Sequence, residues 1–340
     1  MEALPKTMRA VICASPGPIS VLTLQDTTMP VPQAGQVLIK ILGFGINRAE
    51  MFTRQGHSPG VSFPRILGIE CIGTIVTHHA PAVPAADRFP IGSRVATCMG
   101  GLGRQIPGSY AEYVCVSSEN VRLIPPTSLS IATLASLPEM IQTTYGSLTA
   151  GLDLKRGESV LIRGGTSSIG LCAMQMARYM GASHVASTTR SKKRFQMLKD
   201  HGADDVFLDD DGTIEAQVAG SSKGKFDKVL ELVGTTTLRD SLRCANEGGT
   251  VCMTGIQGGE WELDKFSPFE DLPNRVRLSV YSGGPEDFRA CPWEDLVRAV
   301  EAGKIQVPVK AFKLEEIEKV HETLESGGGG EKLVVVVSDD

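Results

Sequence analysis

The stretch Val160-Leu161-Ile162-Arg163-Gly164-Gly165-Thr166-Ser167-Ser168-Ile169-Gly170-Leu171 decides the fold of this chain. A short apolar run meets a glycine-rich turn, and an amphipathic helix starts there. The run is bounded by Gly157 and Gly164 and is short enough to be a strand buried on both faces of a parallel sheet. Beyond the turn, Leu171, Met174, Gln175 and Arg178 recur at helical spacing up to Gly181, which supplies a left-handed stop. The first N–H groups of such a helix lack internal partners and carry the positive end of its dipole, so the turn suits a pyrophosphate. Gly170 lets helix and strand pack closely, and the hydroxyls of Ser167 and Ser168 are placed to bond phosphate oxygen. The usual dinucleotide fingerprint has glycine at its first, third and sixth positions. Here the order is glycine, two residues, serine, two residues, glycine, a pattern that also fits a merely tight turn.

The alternation that follows separates the two readings. His184–Thr188 reads as a strand, Ser191 as the cap of a helix over 192–201, and Asp205–Leu208 as a strand again. Lys228–Leu232, a helix over 237–245, Thr250–Thr254 and a sixth strand, Arg277–Tyr281, continue the series. This is the pattern of a doubly wound parallel sheet. A last helix over 314–325 precedes the terminal strand Lys332–Val337, which no helix follows; it is expected to return to the first domain.

Outward from this core, 340 residues suggest about two domains, and 41% hydrophobic with 21% charged residues is ordinary globular composition. A net charge of −5 leaves no diffuse basic field for nucleic acid or an anionic membrane. No apolar run approaches a membrane span, and the residues from Met1 to Arg9 lack a signal-peptide core, so a cytoplasmic protein is expected. The eight cysteines are scattered without a Cys-x-x-Cys pair, and of the six histidines only His78 and His79 are adjacent. Neither set has the spacing of a metal knuckle, so no metal is expected.

From Met8 to about Pro126 short β runs are separated by proline and glycine: Ala10–Cys13, Gln36–Ile41, Cys71–Val76, Arg94–Ala96 and Tyr110–Val114. They read as a small antiparallel barrel. The polar loop from Gly45 to Gly56 interrupts them and is a candidate site. A helical stretch over 130–151 joins the two domains. The expected division is 1–126 with 291–340 for the barrel, and 127–290 for the dinucleotide-binding domain.

The end of the second parallel strand selects the cofactor. An NAD-preferring fold places an acid about 20 residues past the glycine-rich loop, on the ribose 2′-hydroxyl. This chain instead reads Thr188-Thr189-Arg190-Ser191-Lys192-Lys193-Arg194. Hydroxyls and cations suit a 2′-phosphate, so NADPH is the expected cofactor, with Thr189, Arg190, Ser191 and Lys192 at the phosphate.

Gly45-Ile46-Asn47-Arg48-Ala49-Glu50, Leu67-Gly68-Ile69-Glu70, Gly92-Ser93-Arg94-Val95, Gly108-Ser109-Tyr110-Ala111-Glu112-Tyr113, the Gly164–Gly170 loop and Leu232-Val233-Gly234 follow one another in order. This series resembles the medium-chain dehydrogenase/reductase superfamily, most closely its zinc-independent quinone oxidoreductase branch, over roughly residues 8–337. The resemblance implies an α/β protein with a GroES-like β-barrel catalytic domain, a Rossmann NADP(H)-binding domain, a cleft between them, and a homodimer joined through the sixth strands. It also implies that Gly164, Thr166, Ser167, Ser168, Ile169, Gly170, Val233, Gly255 and Ile256 line the cofactor.

The chain departs from the zinc-dependent alcohol dehydrogenases of that superfamily. They carry a catalytic cysteine in the loop that here holds Asn47, a His-Glu pair where this chain has Ile69-Glu70, and a four-cysteine lobe; only Glu70 is kept. Several quinone and enoyl reductases present a tyrosine to the nicotinamide where this chain has Phe52. Without a metal, the chemistry left is hydride transfer to an electron-poor carbon of a quinone or an α,β-unsaturated carbonyl. Asn47 is a candidate to bind the acceptor oxygen or the nicotinamide ribose, or to fix its own loop. Thr143 resembles the family threonine at the nicotinamide carboxamide, or bonds back to its own helix. Two other functions fit the residues: a biosynthetic enoyl reductase for a polyketide-like substrate, and an NADPH-binding protein without turnover.

Overall fold

The chain opens with two paired strands, β1 (Thr7–Cys13) and β2 (Leu22–Thr28), antiparallel with Thr7 opposite Thr28 and Cys13 opposite Leu22. β3 (Gln36–Gly45), α1 (Arg48–Gln55), β4 (Arg65–Ile66), β5 (Glu70–His78), β6 (Arg94–Cys98), β7 (Tyr113–Ser117) and β8 (Val121–Leu123) follow. The computed structural model describes residues 4–78, 89–327 and 329–338. His79 therefore lies outside the described residues.

β3 is long enough to serve several neighbours. Its first half pairs with β7, its last residues pair with the C-terminal strand β16 (Lys332–Val336), and β5 pairs along its other edge. The resulting sheet runs β15-β16-β3-β5-β6-β8, where β15 is Val309–Lys313, and a smaller sheet runs β2-β1-β4. Val11, Ile39, Ile41, Phe44, Cys71, Tyr110 and Val335 fill the core of this unit, with Phe44 stacked on Tyr110 at 5.0 Å between ring centroids. The return of the terminal strand to the first domain is as expected.

The second unit is a six-stranded parallel sheet ordered β11-β10-β9-β12-β13-β14. Its strands are β9 (Ser159–Arg163), β10 (His184–Thr189), β11 (Asp205–Leu208), β12 (Phe226–Glu231), β13 (Ala245–Met253) and β14 (Arg277–Val280). After α2 (Ile131–Ala135) and α3 (Pro138–Gly146), the helices of this region are α4 (Ser168–Tyr179), α5 (Phe195–Asp200), α6 (Glu215–Ala219), α7 (Thr235–Arg243) and α8 (Pro268–Asp271). Every residue of β9 is buried, with Val160, Leu161 and Ile162 forming its apolar centre between Ser159 and Arg163. Among the described residues no helix is long and apolar enough to cross a membrane.

Several sequence expectations change. The Gly45–Gly56 segment is the helix α1 rather than a loop. Asn47 is its N-cap residue, Glu50 supplies the third-position acid, and Gly56 ends it at φ 91°. The Tyr110–Val114 strand starts at Tyr113, because Tyr110 is a core residue in the approach to β7. The stretch over 130–151 is divided at Pro138 and finishes in a π turn at Ser147–Gly151. The compact units comprise the described residues through Ile141 with Gly284–Glu301 and those from Val307 onward, and Gln142–Gly283 with Ala302–Gln306. Residues 127–141 thus belong with the barrel strands, because α2 packs on β3 and β16.

Candidate active site and nucleotide cradle

Strand β9 ends at Arg163, and the backbone turns at Gly164, whose N–H donates to Thr188 Oγ1 at 3.1 Å. The residues expected to hold the cofactor in this unit gather at the C-terminal ends of the strands. A Cβ placed on Gly164 would sit 3.2 Å from Leu232 and 3.3 Å from Val233, and one on Gly255 would sit 2.2 Å from Leu232 O. At Gly170 a Cβ would lie 2.6 Å from Gly165 Cα, so glycine is what lets α4 start against the turn. Thr166, Ser168 and Ile169 are partly exposed there, as is Ile256 after β13.

The serine pair divides its work. Ser167 is the N-cap: its hydroxyl accepts from Gly170 N at 3.1 Å and donates to Gly164 O at 2.9 Å. It is therefore spent on the turn and is not a free phosphate donor. The N–H groups of Ser168 and Ile169, in the first turn of α4, have no intrahelical acceptor. They face the charge that a helix N-terminus favours, so the residues present fit a dinucleotide pyrophosphate.

At the end of β10, Thr189 is buried and Arg190 exposed. Thr189 Oγ1 accepts from Ser191 N at 3.2 Å, while the Ser191 side chain makes no capping bond. The expected Ser191 cap is therefore replaced by a turn bonded to Thr189. Lys192, Lys193 and Arg194 are exposed with Arg190.

Beneath the cradle lies a buried charge cluster that sequence reading missed. Arg163 Nε and Nη2 donate to Asp209 at 2.9 and 2.8 Å, Nη1 pairs with Asp240 and reaches Ser241 Oγ at 3.2 Å, and Nη2 reaches Gly212 O at 2.8 Å. Beside it, the buried carboxylate of Glu231 accepts from Val233 N, Gly234 N, Thr237 Oγ1 and Ser241 Oγ. Burial pushes the Glu231 pKa up, and these donors with Arg163 work against that rise. The available signal was a charged residue inside an otherwise apolar strand, next to the glycine turn.

In the barrel unit the polar residues around Asn47 form a second cluster. Asn47 Nδ2 donates to Glu70 Oε1 at 3.0 Å and to Glu50 Oε1 at 3.3 Å, and its Oδ1 accepts from Lys332 Nζ. Glu50 also accepts from Asn47 N at 3.0 Å and Ile69 N at 3.2 Å. Glu70 Oε2 accepts from Glu139 N at 2.7 Å. Lys332 Nζ lies 3.0 Å from Glu70 and 3.4 Å from Glu139. Burial, with Glu70 adding to it, pushes Glu50 up to about 7. Burial also raises Glu70. For Lys332 burial acts downward, but the three carboxylates outweigh it and the net shift is up, so the ammonium form is held.

Both N–H bonds of the Asn47 amide are thus committed to carboxylates, which leaves none for an acceptor oxygen in this arrangement. Phe52, four residues into α1, is half-buried and meets His57 edge-on at 6.4 Å. Thr143 belongs to the nucleotide unit, where its carbonyl accepts from Ser147 Oγ at 2.6 Å. Among the described residues no group of three or more His, Cys, Asp or Glu side chains is placed to hold a metal ion.

A parallel sheet with a helix N-terminus open at its glycine turn, joined to a GroES-like unit, defines a nicotinamide-dinucleotide-binding oxidoreductase. Residues 33–126 match the family model of the alcohol dehydrogenase GroES-like domain, and residues 168–296 that of the zinc-binding dehydrogenase. The chain is 28% identical to mouse quinone oxidoreductase over 334 residues, 95% of this chain and 96% of that protein. It superposes on the quinone oxidoreductase of Coxiella burnetii with a TM-score of 0.82 at 27% identity, covering 98% of this chain and 100% of that one. A mycobacterial protein solved in complex with NADPH matches with a TM-score of 0.83 at 25% identity, over 97% and 99% of the two chains. The chain belongs to the medium-chain dehydrogenase/reductase superfamily, in its quinone oxidoreductase-like branch.

Proposed function

We propose that this protein is an NADPH-dependent, zinc-independent reductase of quinones or α,β-unsaturated carbonyls. The observation that carries the reading is the β10 end, where buried Thr189 is followed by exposed Arg190, Lys192, Lys193 and Arg194 with no acid among them. Such a turn favours a 2′-phosphate over a free ribose diol. The similarity to a protein solved with NADPH supports the same assignment.

Zinc independence rests on the donor set. Asn47 and Ile69 are not zinc-ligand types, and Glu70 already accepts from Asn47, Lys332 and the Glu139 N–H. An ammonium among the carboxylates repels a second cation.

The reduced nicotinamide, when bound, supplies the hydride. The chain's residues bind and orient: Ser168 and Ile169 N–H groups receive pyrophosphate, Arg190 the 2′-phosphate, with Val233, Gly255 and Ile256 along the cofactor and Thr143 at its carboxamide. Asn47 acts by fixing the start of α1. Phe52 packs without offering an O–H, so the proton that completes reduction comes from solvent. The exposed outer edge of β14, with Val280 71% exposed, is the surface on which a homodimer forms. The test is NADPH oxidation, and NADH oxidation beside it, against a panel of quinones and enones. Turnover of quinones with NADPH preferred is expected; tight NADPH binding with no turnover on any acceptor overturns the enzymatic reading.

A further inference from the structure

The Asn47 cluster gathers four segments that are distant in sequence: the β3–α1 junction, the start of β5, the first turn of α3 and the start of β16. Its members are nearly all inaccessible, with Glu50 1%, Glu70 0% and Lys332 2% exposed. Packing is tight enough that a Cβ on Gly45 would lie 2.2 Å from Glu70 Oε1 and 2.8 Å from Lys332 Cε. Three carboxylates, Glu50, Glu70 and Glu139, surround one ammonium. All three of its hydrogens have acceptors, in Glu70, Glu139 and the Asn47 carbonyl oxygen.

This geometry leaves the Asn47 amide one orientation. Turned over, it would set its NH2 against the ammonium and its oxygen against two carboxylates. Removing the ammonium leaves Glu50, Glu70 and Glu139 crowded and uncompensated where little water is present to screen them. The element free to respond is the N-terminal end of α1, since Asn47 and Glu50 both belong to it. We propose that Lys332 is a positioning residue of the reductase: its ammonium is the internal cation that holds Asn47, and through it α1 with Phe52, in the orientation that receives the acceptor. This rests on the reductase reading above.

Three proteins test it: wild type, Lys332→Met and Lys332→Ala. Lys332→Met should lower kcat/KM for a quinone by about 100-fold, the scale on which misplacement of an orienting element acts. NADPH affinity should stay within about twofold, because the residues proposed to hold its phosphates, Ser168, Ile169 and Arg190, belong to the other unit. In Lys332→Ala, added ethylammonium should restore activity saturably, whereas tetramethylammonium at equal ionic strength, which has no N–H, should not. A merely structural lysine gives no such selective rescue. Hydrogen exchange of the Asn47–Phe52 amides should rise in Lys332→Met and fall again in Lys332→Ala with ethylammonium.

A Lys332→Met protein as fast as wild type, or a folded, slow Lys332→Ala that ethylammonium leaves unchanged, overturns the proposal. Should Lys332→Met fail to fold, the Tm of Lys332→Ala decides: a saturable rise with ethylammonium alone supports it, and no difference between the two amines overturns it. Wild type inactive on every quinone and enone refutes the reductase reading, while the Tm and exchange arms still decide the role of Lys332.

Discussion

Replacing Arg190 with alanine tests the cofactor assignment at the point where it is most exposed to refutation. Arg190 and its neighbours Lys192, Lys193 and Arg194 are all solvent-exposed, and none of their side chains makes a hydrogen bond or ion pair among the described residues. Four cations within five residues, with no ion pair among the described residues, add little to stability and support the proposed 2′-phosphate site. A charge-assisted hydrogen bond contributes about 1.5–3 kcal/mol. Exposure screens part of that, so the lower bound, near 1.5 kcal/mol, is the appropriate figure and corresponds to roughly a tenfold change in Kd. Lys192 remains in the variant and keeps part of the phosphate's field, so the loss should not exceed this. NADH has no 2′-phosphate and should bind both proteins equally. Because Arg190 has no protein partner to lose, the melting temperature should be unchanged. Titrating both cofactors into both proteins at two salt concentrations reads all of this, and the NADPH advantage should shrink at high salt. Equal affinity for NADPH and NADH in the wild type, or an equal loss for both in the variant, would refute the assignment.

Elemental analysis of protein purified without a metal-binding tag should find well under one zinc per chain; stoichiometric zinc whose removal abolishes activity would defeat the zinc-independent reading. Quinones should turn over faster than simple enones, since a hydroquinone anion takes its proton from water after the slow step. Phe52→Tyr should raise enone kcat/KM more than quinone kcat/KM, by a small part of the roughly 100- to 10,000-fold that a well-placed general acid supplies. Glu50 gives a pH prediction. Its pKa in the fold, about 7 against 4.5, is raised, so the fold favours its protonated form. Its contribution is complete below pH 4.5 and is lost as pH rises through 7. Wild type should lose roughly 3 kcal/mol of unfolding free energy relative to Glu50→Gln across that window, measured by urea unfolding at each pH; a constant difference between the two proteins would contradict it.

What could be read from the sequence was what local pattern controls. β9 and β16 are apolar runs because both faces of each are covered, and the glycine turn announces its helix. β2 and β15 escaped notice because only one residue of each is buried: Leu22 in β2 and Phe312 in β15. α1 was hidden by its polar residues, although Asn47 and Glu50 have the spacing of a capping box and Gly56 that of a stop. The two buried charge clusters are of another kind. Lys332 lies 285 residues from Asn47, directly after Glu331 and a run of glycines, where its composition reads as a solvated surface. Arg163 and Asp240 are 77 residues apart. No periodicity links such partners; Lys332 and Arg163 betray themselves only by heading or ending a mainly apolar strand, and Asp240, on a helix, not even by that.

Those partners also explain why one helix of the nucleotide unit, and not its neighbour, is left to receive phosphate. α4 and α7 both start after a strand at the same edge of the sheet, and both N-termini attract an anion. At α7 the anion is internal, since Glu231 accepts from Val233 N, Gly234 N and the Thr237 hydroxyl. Arg163 stands close enough to favour the charge on Glu231, and it draws Asp209 and Asp240 inward. Asp209, whose own N–H donates to Thr189 O at 2.9 Å, has both carboxylate oxygens bonded to Arg163. α4 has no such acid: its N-cap is the neutral Ser167, and the first N–H groups beyond it stay open. The guanidinium that bonds Asp209 and Asp240 and stands beside Glu231 thus holds these carboxylates within the buried cluster, and the proposed 2′-phosphate turn has only cations of its own.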